Sequence, residues 1–368
     1  MKKLSLSILL IIACSAQIRA QFHTMKIPQA SNHVTETQTL GVTDITIDYH
    51  SPAVRERDVW NNTDIIPQNA NPVAWRAGAN MNTTISFSTD VMIEGQFLPA
   101  GKYGFHIVPR GDTYELNFAH NNHQWGSYYL DLEKDVTLKV EVSAVEETPF
   151  SEKLDYEFLN WTPEEVTVAL EWANRRIPFK VSVDLNKTVV ESFRSELRGI
   201  NTYHWQAWND AARWCLVHNT NLEEALEWAN RSVNGGYNGF AANKNAENLR
   251  TKAELEQRLG KTAELEQTLS DAIAFIESPY DANFFSIYLL GVKKTDLAME
   301  LLDKSIAANP ESWFLMLNQA VGYYFQGKEK RALSTMEKVK SMAPANFQDR
   351  LTTIEASFKD GTYTIPGF

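Results

Sequence analysis

Cysteine is almost missing from this chain: 368 residues contain two, Cys14 and Cys215. If Cys14 is cleaved off or lipidated, no intrachain disulfide can form, and stability has to come from packing. Cys215 stands in Trp214-Cys215-Leu216 within a helical pattern and has no evident base nearby, so a small buried apolar role suits it better than that of a reactive thiol. Long apolar runs are scarce as well. Beyond the first segment nothing approaches the roughly 20 residues of a spanning helix, so no transmembrane segment is expected. Positive charge is in short supply, with 35 Lys plus Arg against 46 Asp plus Glu, a formal charge of −11. The deficit is uneven: residues 21–185 hold 12 basic and 23 acidic side chains, residues 186–368 hold 20 and 23. An acidic surface repels phosphate backbones and anionic head groups, which argues against nucleic-acid and membrane-surface binding. A phosphate loop is lacking too. Gly235-Gly236 and Gly239 are not followed by Gly-Lys-Ser/Thr, and a flexible connection between helices is their expected role.

No Asp or Glu occurs before Glu36, and what stands there instead has a recognisable layout. Lys2-Lys3 precede an apolar run from Leu4 to Ala13, and small residues follow as far as Ala20. This is the plan of a secretory signal peptide, with cleavage expected after Ala20 and export to the periplasm or cell envelope. Ile11-Ile12-Ala13-Cys14 also resembles a lipobox, which leaves open an alternative in which Cys14 anchors the protein through lipid.

From Val42 onward the apolar residues alternate. Ile45, Ile47 and Tyr49 are separated by polar residues, and Ser51-Pro52 closes the segment, since proline cannot donate into a ladder. Similar runs cover 83–89, 91–93, 103–108, 114–118, 136–142, 154–158, 166–172 and 177–183, with turn chemistry such as Glu94-Gly95 and Pro109-Arg110-Gly111-Asp112 between them. Many short antiparallel strands without a helix predict a β-sandwich, with a barrel as the alternative.

The blocks Gln38-Thr39-Leu40-Gly41, 43–49, Trp75-Arg76-Ala77-Gly78-Ala79-Asn80, Leu98 to Tyr103 and Gln124-Trp125-Gly126 stand in an order that resembles the bacterial exported family called domain of unknown function 2911, over about residues 30–183. Two features depart from that family. His50-Ser51 stands where it usually has Ser-Arg before the proline, and the stretch 61–71 is longer. The resemblance implies a fold boundary and no activity.

After Asp184 the rhythm turns helical. Ala298 and Ala332, Leu302 and Met336, and Pro310 and Pro344 are each 34 residues apart. That period, with a small residue in the second helix and a closing proline, resembles tetratricopeptide hairpins and implies a concave surface for protein or peptide. Small residues let paired helices approach, and proline stops the second because it lacks the N–H and clashes with the preceding turn. Units around Ala225 and around Gly260 to Ala272 look degenerate. The expected organisation is signal peptide 1–20, β-sandwich 21–185, linker 186–200, helical array 201–350 and tail 351–368.

Candidate binding residues in the β half are Trp75, Arg76, Asn80, His106, Gln124, Trp125 and Tyr128. Arginine supplies a planar donor fork and tryptophan an apolar face suited to a sugar ring or peptide. A core tryptophan with a loop-tying arginine is the competing reading, and for His106 a hydrogen-bonded sheet histidine. His120 and His123 have ligand-like spacing but no third ligand in view, so neither metal nor cofactor is expected. The expected function is a non-catalytic envelope protein, with a ligand- or partner-binding sandwich and a protein-binding array. The alternative is an enzyme or carbohydrate-binding module acting on an envelope glycan.

Overall fold

A computed structural model describes residues 27–366. The signal-peptide reading, including Lys2, Lys3, Cys14 and Ala20, lies outside them. Two compact units are present, one ending at Thr188 and one beginning at Val189.

The first unit is two packed antiparallel sheets. Its strands are β1 (Asn32–Leu40), β2 (Thr43–Ser51), β3 (Thr83–Phe87), β4 (Val91–Ile93), β5 (Gln96–Leu98), β6 (Gly101–Arg110), β7 (Thr113–Ala119), β8 (Val136–Ser143), β9 (Val145–Leu159) and β10 (Glu165–Ser182). One sheet runs β1-β2-β3-β6-β7-β8 and the other β5-β4-β10-β9. Alternation places Ile45, Ile47, Ile85, Phe105, Ile107, Leu116 and Phe118 of the first sheet against Leu154, Tyr156, Val168, Leu170, Phe179 and Val181 of the second, all fully buried. Phe179 reaches across to Phe105 and Phe118 with ring centroids at 5.6 and 6.0 Å. Each fully buried ring or branched side chain contributes about 1.5–3 kcal/mol by leaving water. A sandwich, not a barrel, is therefore formed.

Three details of the strands differ from the periodicity reading. β1 was not anticipated, because its core-facing positions include Glu36 and Gln38 and an edge strand with polar inner residues shows no apolar alternation. β5 has only three residues, joined to β4 by Glu94-Gly95 at φ 47° and 75°, the double left-handed turn that suits a two-residue hairpin. The two runs at 166–172 and 177–183 form one strand, β10; the polar stretch between them is a bulge, with Ala173 at φ 52° and the register against β9 shifting on both sides of it.

The second unit is helical. After α1 (Leu185–Glu196), within which the division between units falls, come α2 (Trp205–Val217), α3 (Leu222–Asn234), α4 (Ala246–Arg258), α5 (Thr262–Ala274), α6 (Pro279–Gly291), α7 (Thr295–Ala308), α8 (Trp313–Phe325), α9 (Glu329–Met342) and α10 (Gln348–Lys359). Ala298, Leu302, Ala332 and Met336 are fully buried at the helix-pair contacts, and Pro310 and Pro344 follow the ends of α7 and α9. The stretch 186–200 is mostly helix α1 instead of a linker. Likewise 351–368 begins with most of α10, whose Leu351 and Phe358 are buried, so its first part is packed structure instead of a tail.

The turns show that the degenerate units are repeats. Asn219, Gly260, Lys293, Gly327 and Gly361 each lie two residues past the end of α2, α4, α6, α8 and α10, at φ between 49° and 70°. The next residue's N–H bonds back five positions: Thr220 to Cys215, Lys261 to Glu256, Lys294 to Leu289, Lys328 to Tyr323 and Thr362 to Ser357, at 2.8–3.0 Å. This is one helix stop used five times. It makes α10 the first helix of a fifth unit. Among the described residues no helix is long and apolar enough to cross a membrane.

Candidate functional site

The outer face of the six-stranded sheet is the starting point. On β6, Tyr103, Phe105 and Ile107 point to the core, so Gly104 and His106 point away from it, and His106 sits opposite Asn117 of β7. Two loops cover this face. Trp75 bridges Ile107 through both backbone bonds, at 2.9 and 2.8 Å, and Met81 bridges Trp125. The Asn82 N–H donates to the Gln124 carbonyl at 3.0 Å, the Gly126 N–H to that of Asn80 at 3.2 Å, and Asn82 Oδ1 accepts from the Gln124 N–H at 2.9 Å. The two most specific sequence blocks, 75–80 and 124–126, are thus the halves of one clamp.

Glycines make the clamp close. A side chain on Gly126, at φ 67°, would meet the Arg76 guanidinium at 2.6 Å, and one on Gly78 would meet Thr83 Oγ1 at 2.7 Å. Arg76 Nη1 donates to the Asn80 carbonyl at 2.5 Å, holding a loop in which Ala77 and Asn80 are left-handed at φ 51° and 58°.

Beside the clamp lies a cleft of about 630 Å³ on the same sheet face. His33, Asp48 and His50 of β1 and β2 form one wall, Thr84 of β3 and Lys102 of β6 lie toward the floor, and Trp125, 48 % exposed, stands at the rim. His33 Nε2 meets Asp48 Oδ2 at 2.9 Å, and the Thr35 hydroxyl donates to the same oxygen at 2.9 Å. The His33 and His50 rings lie 5.1 Å apart. Burial, then the neighbouring His33, depress the His50 pKa, with Asp48 opposing. Two polar atoms lining the cleft, Thr84 Oγ1 and Asn80 Nδ2, are buried without a partner among the described residues. Buried polar atoms are nearly always paired, so such atoms beside a cleft are positions for water or ligand.

The structure places the residues singled out from the sequence in several different surroundings. Asn80, Trp125 and His123 line this cleft. Gln124, Ser127 and His106 lie beneath the clamp: His106 is fully buried, its Nδ1 2.7 Å from Ser127 Oγ, and Gln124 Oε1 accepts from the Tyr129 N–H at 3.1 Å. Burial, followed by the charge of Arg76, lowers the His106 pKa to about 4. Trp75 is a core side chain, 3 % exposed and stacked on Trp172 at 6.1 Å, and with Arg76 it borders an adjoining, smaller cleft that Asn80 also lines. Tyr128 is exposed, with its ring 5.8 Å from the Arg76 guanidinium carbon. His120 faces Asp135 at 3.6 Å, away from His123's cleft position. Among the described residues no group of three or more His, Cys, Asp or Glu is placed to hold a metal ion. Cys215 is buried in the helical unit, and burial pushes its thiol up to about 11.

His33, Asp48, His50, Thr84 and Lys102 were not anticipated. The signal was available for three of them: Leu40-Gly41-Val42-Thr43 reads as a turn, and folding the chain back there pairs His33 with His50 and Thr35 with Asp48.

Residues 31–181 match the family described as Protein of unknown function (DUF2911). No curated protein matches the chain. Among solved structures, YrrB, described as a TPR protein with an unusual peptide-binding site, is 14 % identical, covers 46 % of this chain and 85 % of its own, and has a TM-score of 0.31. A tetratricopeptide repeat protein from Parabacteroides merdae is 16 % identical over 48 % of this chain and 66 % of its own, with a TM-score of 0.36. Yeast Tom70 is 16 % identical over 47 % and 43 %, with a TM-score of 0.26. Residues 31–181 thus match the DUF2911 model, and the residues after them form paired helices in which Ala298 and Ala332 keep a 34-residue spacing.

Proposed function

We propose that this is a non-catalytic, exported binding protein whose β unit takes a small polar ligand in the cleft beside Trp125 and whose helical hairpins hold a protein or peptide. The observation that carries the first part is the cleft's composition. Its buried lining includes the unpartnered atoms Thr84 Oγ1 and Asn80 Nδ2, and a half-exposed indole stands at its rim. Pre-formed polar groups under an aromatic face suit a sugar ring, which needs hydrogen bonds at its edge and an apolar surface for its flat side. A volume of about 630 Å³ has room for one or two rings. The repeated hairpin supports the second part, since stacked pairs of this kind present a continuous concave surface. Export rests on the leader-like layout of residues 1–20 and is tested by the mass of the processed chain, expected to begin at Gln21.

One observation favours an enzymatic alternative. Asp48 holds His33 at 2.9 Å while burial lowers the pKa of His50 beside it, an arrangement able to move a proton. A glycan screen of the full chain, read for both retention and product release, separates the two. Binding without turnover is expected. Hydrolysis of a retained glycan that Asp48→Asn abolishes would replace binding by catalysis, and no retained glycan would remove the ligand assignment.

A further inference from the structure

In a unit with so many more carboxylates than basic side chains, an arginine left without an acidic partner is unusual. Of the six arginines among its described residues, Arg110, Arg175 and Arg176 pair with Glu115, Glu146 and Glu171. The other three, Arg55, Arg57 and Arg76, form no ion pair among the described residues, and all three line the same cleft of about 330 Å³. One carboxylate, Asp64, lies at that cleft, so its local charge is opposite to that of the unit as a whole.

The chain is bent to bring them together. Arg55 and Glu56 are both left-handed, at φ 50° and 59°, and Ala77 and Asn80 adopt the same conformation around Arg76. Side-chain-bearing residues pay about 1–2 kcal/mol each for that geometry, and such strain persists where surrounding structure enforces it. Arg57 is also fixed: Nε donates to the Val54 carbonyl at 2.9 Å and Nη2 to that of Ala53 at 2.7 Å, leaving Nη1 uncommitted. Arg76 is half-buried, tied through Nη1 to Asn80 and backed by Gly126. The Arg55 side chain makes no hydrogen bond among the described residues; only its backbone N–H is used, donating to Glu152 at 3.0 Å. Ile65 is half-buried at the same cleft, while Trp75 and Trp172, 3 % and 1 % exposed, are core side chains behind it.

We propose that this arginine cleft binds a small organic anion through its carboxylate or phosphate oxygens, with the anion's body against Ile65. Guanidinium forks match both oxyanions, and charge-assisted hydrogen bonds from a half-buried group are stronger than neutral ones. The site adjoins the cleft beside Trp125, with Asn80 lining both, but does not rest on the ligand proposed there.

Calorimetry on the full chain tests it, with inorganic phosphate and benzoate as separate probes and chloride holding the ionic strength constant. Saturable one-to-one binding of at least one probe is expected. Phosphate alone identifies a phosphate ligand and benzoate alone a carboxylate ligand. Arg55→Gln, which removes no internal hydrogen bond, should weaken binding about tenfold, and Arg76→Lys, which keeps charge but loses the fork, by a similar factor. Circular dichroism checks that both variants are folded; Arg55→Gln alone decides if Arg76→Lys is not. No saturable binding of either probe, or an unchanged affinity in folded Arg55→Gln, overturns the proposal.

Discussion

At His106, burial with one ring nitrogen unpartnered makes protonation costly. The folded pKa, about 4, lies below the ordinary value of 6.5. The unfolded chain therefore binds a proton that the folded chain does not, over the interval between those values. Stability contributed by the neutral ring is full above about pH 6.5 and falls as pH drops toward 4, by about 3 kcal/mol in total. Denaturant unfolding between pH 7 and 4 should show this decline, and His106→Gln should flatten it; an equally steep decline in the variant would assign the effect elsewhere. Tyr49 poses a different problem of protons. Its single hydroxyl lies 2.5 Å from Asp155 Oδ1 and 2.7 Å from Glu36 Oε1. One O–H cannot serve two ionised carboxylates, and burial raises the Glu36 pKa. Glu36 is thus the partner that holds a proton most readily. Tyr49→Phe should cost about 1–3 kcal/mol in chemical denaturation, because it removes the hydroxyl that bonds both carboxylates; an unchanged midpoint would show that the hydroxyl contributes nothing.

Among the elements, the repeated helix stop gives the sharpest expectation. Gly260, Gly327 and Gly361 meet the left-handed requirement without a side chain, whereas Lys293 meets it at φ 62° with one. Lys293→Gly should stabilise the helical unit by up to about 1 kcal/mol, seen as a higher midpoint in thermal unfolding; a lower midpoint would mean that the lysine side chain supplies a contact outweighing its backbone strain. Gly322 of α8 is the opposite case. A Cβ there would meet Met299 Sδ at 2.2 Å, so Gly322→Val should be destabilising by overpacking, by about 1–3 kcal/mol. These elements also show what a sequence can reveal. Strands such as β2, β3 and β8 were legible because their polar and apolar residues alternate, and the last two full repeats because Ala298 and Ala332 keep their spacing. β1 escaped because Glu36 and Gln38 face inward, and its loss hid the site's best wall: His33 becomes meaningful only when paired with His50. Trp75 was misleading for a related reason. Its place in a specific motif reflects packing on Trp172 in the core, a contact 97 positions away that no local pattern contains.

For the whole molecule, the account is of two units with separate kinds of surface. The β unit devotes its inner sheet faces to an aromatic and aliphatic core and one outer face to polar groups. The DUF2911 blocks are explained by that second use: 75–80 and 124–126 close over His106 and leave Trp125 at the rim of the larger cleft. The acidity of this half is a property of its remaining surface, with the arginine cleft as a local exception. The helical unit reaches its stability differently, through a stop geometry repeated five times and small residues at the helix contacts. The most direct test of the central claim is the affinity of the full chain for the glycan retained in a screen, compared between wild type and Trp125→Ala. The account predicts that binding weakens about tenfold or more in this variant, since a half-exposed rim residue is removed without disturbing the core. Undiminished affinity in folded Trp125→Ala would contradict it.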